Sequence, residues 1–258
     1  TAEFGADIDL PGLIQARVLR SPHAHANIKS IDTSAAEAYP GVEAVVTGAD
    51  FPIILAGGSA GTGEVDISLR YLSELIIARD KALFQGHPVA AVAARTADIA
   101  EEATKLIKVD YEILPSVQDP VEAMAPGAPL LHDDMITKSI GGEADTPSNV
   151  ALHVELGRGD VDAGFAASDH IVERTYKTSI VHQGYIEPEA ETAWYHADGS
   201  IEVWANTQGI FDHRNQLSNV LEIDQGNILV RGTEVGGAFG AKAQTRISPL
   251  CIILSKKS

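Results

Sequence analysis

The chain has 258 residues, with 19 Lys and Arg against 36 Asp and Glu and a formal charge of −17, which is enough for one large domain or two ordinary ones with real cores. A composition that is 45% hydrophobic and 21% charged excludes wholesale disorder. The acidic balance argues against nucleic acid and anionic membrane surfaces, because both demand clustered Lys and Arg.

One cysteine, Cys251, leaves neither an internal disulfide nor a thiolate metal site. It fits a reducing compartment, and a cytoplasmic location is expected. No apolar run reaches the ~20 residues that span a bilayer. The opening TAEFGADIDL lacks the basic and apolar regions of a signal peptide. The chain opens in a strand-like stretch and stops where SPLCIILSKKS meets basic residues, so it reads as a piece of a larger polypeptide.

Predicted elements alternate through the first half. Strands are expected at Leu13–Leu19, Ile28–Ile31 and Val42–Val46, the last from its β-branched residues. Asp32-Thr33 offers a cap, and Ser34 and Glu37 have capping-box spacing before a short helix that Pro40-Gly41 ends. Residues 57–63 read as a flexible glycine-rich loop. Pro88–Ala94 reads as a buried strand and Thr96 as an N-cap. Ile99, Ala100, Ala103, Leu106 and Ile107 then make a helical face, and Val109, Tyr111 and Ile113 alternate as a strand. That order predicts a right-handed crossover.

Residues 115–150 are punctuated by Pro115, Pro120, Pro126, Pro129 and Pro147 with Gly127, Gly141 and Gly142, the pattern of a domain connection. Beyond it, Asp160 caps a short helix ending near Ser168, and Val172–Ser179 is strand-like. Ala193–His196 and Ile201–Ala205 flank an Asp198-Gly199 hairpin, Phe211–Leu221 is helical, and Ile228–Val230 is a strand that feeds a glycine loop.

That loop, Glu234-Val235-Gly236-Gly237-Ala238-Phe239-Gly240-Ala241-Lys242, follows a strand and can offer successive N–H groups to an anion. It matches neither the Walker pattern nor the dinucleotide fingerprint: Ala243 follows Lys242, and Val235 stands where the first Gly would be. A plain structural turn is the competing reading. Glu187 and Glu189 would share a face in a strand and could do acid–base work, or be one more acidic pair. His182 could be a base or ligand, and His23 with His25 a metal pair, although neither has a partner at ligand spacing. Gln208 could present an amide to a ligand. Arg158-Gly159-Asp160 reads as a turn and helix cap rather than an adhesion motif.

Several segments together resemble the molybdenum hydroxylase family, the xanthine dehydrogenase and aldehyde oxidase group. They are Leu10-Pro11-Gly12, the run Val18 to Ala26, Gly86-His87-Pro88-Val89, Val109-Asp110-Tyr111-Glu112, Gln183-Gly184-Tyr185-Ile186-Glu187-Pro188 and Gly236 to Lys242, in the family's order. The resemblance implies an α+β chain: an α/β-hammerhead domain over 1–120, a linker over 121–150 and the N-terminal part of a molybdopterin-binding domain over 151–258. It implies a molybdopterin cofactor in its cytosine dinucleotide form, held by Gly236, Gly237, Ala238, Phe239 and Gly240. No side chain here is assigned as a metal ligand.

The chemistry implied is insertion of a water-derived oxygen into a small heterocycle, aldehyde or aromatic thioester. The partners implied are the remaining molybdopterin-binding polypeptide and iron–sulfur and FAD subunits. Relatives carry a glutamine bonded to a molybdenum oxo group; counting back from Tyr185-Ile186-Glu187 puts Val181 there, and Gln183, two residues on, is the candidate. Purine oxidisers place an acid just after the loop lysine, where this chain has Ala243, so xanthine is disfavoured as substrate. The family's catalytic glutamate lies further towards the C-terminus, so the chain alone is expected to be inactive. The rival reading is a non-catalytic scaffold or excised fragment that packs against the missing half.

Overall fold

The computed structural model describes residues 2–54, 59–61, 66–139 and 142–258. Two compact units are present, Thr1–Leu114 with Gln183–Ser258, and Pro115–His182.

The first segment of the larger unit runs β1 (Gln15–Arg20), β2 (Ala26–Asp32), α1 (Ser34–Glu37), β3 (Val42–Thr47), β4 (Ser59–Gly61), β5 (Asp66–Ser68), α2 (Leu69–Ile76), β6 (Lys81–Ala82), β7 (Pro88–Ala94), α3 (Ala97–Thr104) and β8 (Lys108–Ile113). In this segment the runs at Leu13–Leu19, Ile28–Ile31, Val42–Val46, Pro88–Ala94 and Val109–Ile113 give β1, β2, β3, β7 and β8. Thr96 caps α3 as expected, its Oγ1 accepting from Ile99 N at 3.2 Å. The Ser34–Glu37 capping box does not form. Asp32 Oδ1 takes Ser34 N at 3.1 Å instead, and Thr33 Oγ1 donates to Glu37 at 2.9 Å.

Three further expectations are corrected. β7 lies between β1 and β3, antiparallel to both, whereas β8 pairs with β2 in the sheet β6-β2-β8, so no crossover links β7 to β8 within one sheet. The reason is that both edges of β7 are already paired. In place of an opening strand, Phe4 makes a single bridge to Glu234, followed by a 3-10 turn at Gly5–Asp7. Within the loop expected over 57–63, residues 59–61 are β4, paired with β5; residues 57, 58, 62 and 63 lie outside the described residues.

The smaller unit contains α4 (Pro120–Ala123), β9 (Ile136–Ser139), β10 (Gly142–Pro147), β11 (Leu152–His153) and α5 (Val161–Ala166), with strand order β10-β9-β11. The proline-punctuated stretch therefore carries regular structure. Asp119 Oδ1 caps α4 through Val121 N at 2.8 Å, with Pro120 at the first helical position, where a missing N–H costs nothing. Asp160 caps α5 as the sequence predicts, accepting from Ala163 N at 2.9 Å. Val172–Ser179 forms no strand. Val172 and Tyr176 are exposed, and no described strand offers the neighbouring hydrogen bonds that a strand requires.

The larger unit resumes with β12 (Thr192–Tyr195), β13 (Ile201–Ala205), α6 (Ile210–Leu221), β14 (Ile228–Gly232) and α7 (Ser248–Lys257). β12 and β13 form the predicted hairpin, and Asp198 Oδ1 accepts Ser200 N at 2.9 Å in its turn. β14 pairs in parallel with β13, with α6 as the connection.

The small side chains of β7 let it be buried on both faces. Ala90 and Val92 pack with Ala36, Ala103 and Ile107, while Ala91 and Ala93 join Ile201, Val203, Leu217 and Ile252 in the main core. That core fuses both segments of the larger unit into one body and leaves the loop after β14 anchored at its rim. No described helix is long and apolar enough to cross a membrane.

Candidate functional site

β14 ends at Gly232, and the chain then turns through the glycine loop. Gly237 has φ 93°, Phe239 φ 53° and Gly240 φ 89°. Ala241 N donates to Ala238 O at 3.0 Å, closing a turn around Phe239 and Gly240. Two successive positive φ angles are the pattern of a primed turn. A bulky residue such as Phe239 enters that region at a cost of roughly 1–2 kcal/mol, and such strain gathers at functional sites. Phe239 is 74% exposed, so packing of its side chain does not explain the strain.

The amides divide into two sets. Gly236 N donates to Glu187 Oε2 at 2.7 Å, and Ala241 N is spent within the turn. The amides of Gly237, Ala238, Phe239 and Gly240 make no hydrogen bond among the described residues. Nothing lies within 4 Å of where a Cβ on Gly240 would stand, so space is open there. Four successive free donors beside open space suit a group rich in oxo or phosphate oxygens.

The base of the loop is rigid. Lys242 Nζ reaches Glu187 Oε2 at 2.7 Å, with the side chains only 2% and 12% exposed. Lys242 also stands 5.0 Å over the Tyr185 ring. Burial raises the Glu187 carboxyl, but hydrogen bonds from Lys242, Gly236 and Asn206 outweigh it and hold the group below its usual range. A Cβ at Gly236 would sit 2.6 Å from Glu187 Cβ, so only glycine allows this approach. The Lys242 carbonyl accepts from Gln208 N at 3.0 Å and Thr207 Oγ1 at 3.2 Å.

Beneath the loop runs a second polar chain. Ser248 Oγ donates to Glu191 Oε2 and meets His213 Nε2 at 2.7 Å. A hydroxyl has one proton, so the His213 contact needs Nε2–H, which leaves buried Nδ1 as an acceptor with no hydrogen-bond partner among the described residues. Burial pushes the Glu191 carboxyl up to about 7, against the Ser248 hydrogen bond and with help from Glu189. Burial likewise lowers His213 to about 4. Gln216 ties the connecting segment to α6, donating to Ala243 O at 3.2 Å and accepting from Thr245 N at 2.8 Å.

Of the residues singled out by sequence, the fold gathers Tyr185, Glu187, Gln208 and the loop. Glu187 is not paired with Glu189: its partner is Lys242. Gln183 is exposed, two residues before Tyr185, and makes no hydrogen bond among the described residues. His182 is exposed at the end of the smaller unit. His23 packs edge-on to Tyr111 at 5.0 Å and His25 is buried; the described residues contain no group of three His, Cys, Asp or Glu fit for a metal. Sequence reasoning missed the Glu187–Lys242 pair and the Glu191–Ser248–His213 chain, because only long-range packing joins them.

A cavity of about 910 Å³ lies elsewhere in the same unit, between Ile8, Leu10 and Ile14 and the residues Trp194, Leu250 and Leu254. It contains no residue of Gly236–Gly240, so the candidate chemistry stays with the loop.

Two domain families account for most of the chain. Residues 1–115 match the aldehyde oxidase and xanthine dehydrogenase a/b hammerhead domain, and residues 143–258 match the molybdopterin cofactor-binding domain. The chain belongs to the molybdenum hydroxylase family, the group of xanthine dehydrogenase and aldehyde oxidase, and corresponds to an N-terminal portion of the molybdopterin-binding subunit. The fold is accordingly α+β, a hammerhead domain followed by a partial molybdopterin-binding domain.

It is 33% identical to a probable xanthine dehydrogenase subunit of Bacillus subtilis over 99% of this chain and 31% of that protein. It is 34% identical to the carbon monoxide dehydrogenase large chain of Afipia carboxidovorans, over 96% of this chain and 30% of that protein. The quinoline 2-oxidoreductase structure from Pseudomonas putida 86 superposes with a TM-score of 0.82 at 30% identity, covering 99% of this chain and 31% of that one. The chain thus spans about a third of the length of these relatives.

Proposed function

We propose that this chain forms one wall of a molybdopterin site in a cytoplasmic hydroxylase that oxidises a small heterocycle, aldehyde or aromatic thioester with water as oxygen source. The observation that carries the reading is the run of four unpartnered amides, Gly237 to Gly240, with open space at Gly240 and both loop ends bonded to Glu187. When bound, the molybdenum–pterin centre supplies the two-electron oxidation that lets a water oxygen replace hydrogen on carbon.

This chain's own residues bind and orient. Gly237, Ala238, Phe239 and Gly240 donate N–H groups to oxo or pterin oxygens, and Gly236 lets Glu187 approach. Gln183 is the candidate side-chain donor at the edge of the site. Ala243 puts no acid after Lys242, which disfavours purines that need one. The cofactor is proposed in its cytosine dinucleotide form, with iron–sulfur and FAD partners to receive the electrons and the rest of the polypeptide to supply the catalytic base. Residues 1–120 are proposed as the hammerhead domain, 121–150 as a connecting segment that carries β9 and β10, and 151–258 as the N-terminal part of the molybdopterin-binding domain.

The test is elemental analysis of the complete native complex: molybdenum near one per active site is expected, and an active complex free of molybdenum overturns the reading. Isolated residues 1–258 are expected to hold no tight cofactor and to turn nothing over.

A further inference from the structure

The two ends of the glycine loop are tied to a single carboxylate. Gly236 N and Lys242 Nζ both donate to Glu187 Oε2 at 2.7 Å, and Glu187 N returns a bond to Gly236 O at 3.2 Å. Gly5 N adds a longer contact to Oε1 at 3.4 Å, bringing in the N-terminal segment. Lys242 is fixed at its other end as well, through its carbonyl to Thr207 and Gln208. Everything between Gly236 and Lys242 is thereby held by its ends, while its four middle amides stay free.

A lysine beside a glycine-rich turn ordinarily invites the role of a cation that meets the bound anion. Here Lys242 is 3% exposed and its ammonium is spent on Glu187 and on the face of Tyr185. In this geometry the lysine charge neutralises a protein carboxylate, not the ligand. At Gly240, in the middle of the turn, nothing lies within 4 Å of where a Cβ would stand.

From this we infer that Glu187 and Lys242 are positioning residues: a buried clamp that sets the spacing of the Gly237–Gly240 amides, with Lys242 making no contact to the cofactor. The inference rests on the molybdopterin reading of the loop but gives Glu187 and Lys242 a role that reading does not assign. Groups that orient ligand-bearing elements are worth about 10–100-fold in affinity when removed.

The test uses the whole native complex carrying Glu187→Gln, which keeps side-chain volume but removes the charge that joins the two loop ends. Two readouts are taken, neither of them turnover: hydrogen–deuterium exchange of the peptide spanning 235–243 in cofactor-free complex, and molybdenum and released pterin per subunit after maturation. Faster exchange in that peptide alone, with cofactor retention weakened about 10-fold or more, is expected. Wild-type exchange, or faster exchange with wild-type loading, overturns the clamp. If Glu187→Gln fails to assemble, Glu187→Asp, which withdraws the charge by one methylene, carries the same two readouts and the same overturning results. Should the wild-type complex itself hold no molybdenum, the proposed function falls, and the exchange readout still decides whether the clamp exists.

Discussion

Glu187 and Lys242, 55 residues apart in sequence, meet at 2.7 Å with their side chains almost wholly removed from water. A buried charge pair gains little over a well-packed apolar pair, but stranding one member is costly. Lys242→Met is therefore expected to lower the unfolding free energy by about 3–5 kcal/mol. Adding Glu187→Leu should cost clearly less than the two single changes summed. Chemical denaturation of the four variants of the cycle measures the coupling, and strict additivity would contradict the pair as drawn.

Gly236→Ala tests the close approach directly. The new Cβ would fall 2.6 Å from Glu187 Cβ, against a side chain pinned by its own hydrogen bonds. A loss of about 1–3 kcal/mol is expected from overpacking, read as a lowered midpoint in thermal unfolding.

The turn at Phe239 and Gly240 makes the opposite demands on two neighbours. Gly240→Ala places a Cβ in open space, yet φ of 89° strains it by about 1–2 kcal/mol. Phe239→Gly relieves similar strain and gives up an exposed ring, so a stability change within about 1 kcal/mol is expected. Urea midpoints of both variants check the contrast.

The Glu191–Ser248–His213 chain gives a pH signature. Burial raises Glu191 from 4.5 to about 7, so the folded state binds more protons than the unfolded state in that window, and this group's contribution weakens as pH rises through it. Burial lowers His213 from 6.5 to about 4, so its contribution strengthens as pH rises through that range. Glu191→Gln removes the first effect and keeps a neutral partner for Ser248. Relative to wild type, its unfolding free energy should rise by about 1–3 kcal/mol between pH 5 and pH 8. Unfolding curves at several pH values measure this, and a flat difference would remove Glu191 as the titrating group.

Burial, with the neighbouring Glu191 charge, pushes the Cys251 thiol up to about 12. The thiolate is the reactive form. Labelling by a disulfide reagent at pH 8 should therefore be far slower in the folded chain than in denaturant, and equal rates would show the thiol to be open.

Local patterns carry the elements that local chemistry can specify. The β-branched run at Val42–Val46, the Asp198-Gly199 turn and the caps at Thr96 and Asp160 form as their residues predict, because each is decided within a few positions. Patterns that need a neighbour do not: Val172–Ser179 has strand composition but no described partner, and β7 and β8 sit in different sheets because β1 and β3 already occupy both edges of β7. Asp119 and Pro120 are a cap and a helix start inside a stretch whose prolines look like a connection.

The glycines, the phenylalanine and their order made the anion-ready loop visible in the one-dimensional chain, since backbone freedom is a property of residue type. Which of its amides are spent and which stay free was decided only by folding. Glu187 and Gln208 come from elsewhere in the chain, and a hydrogen bond is made by proximity in space, to which residue order alone is blind.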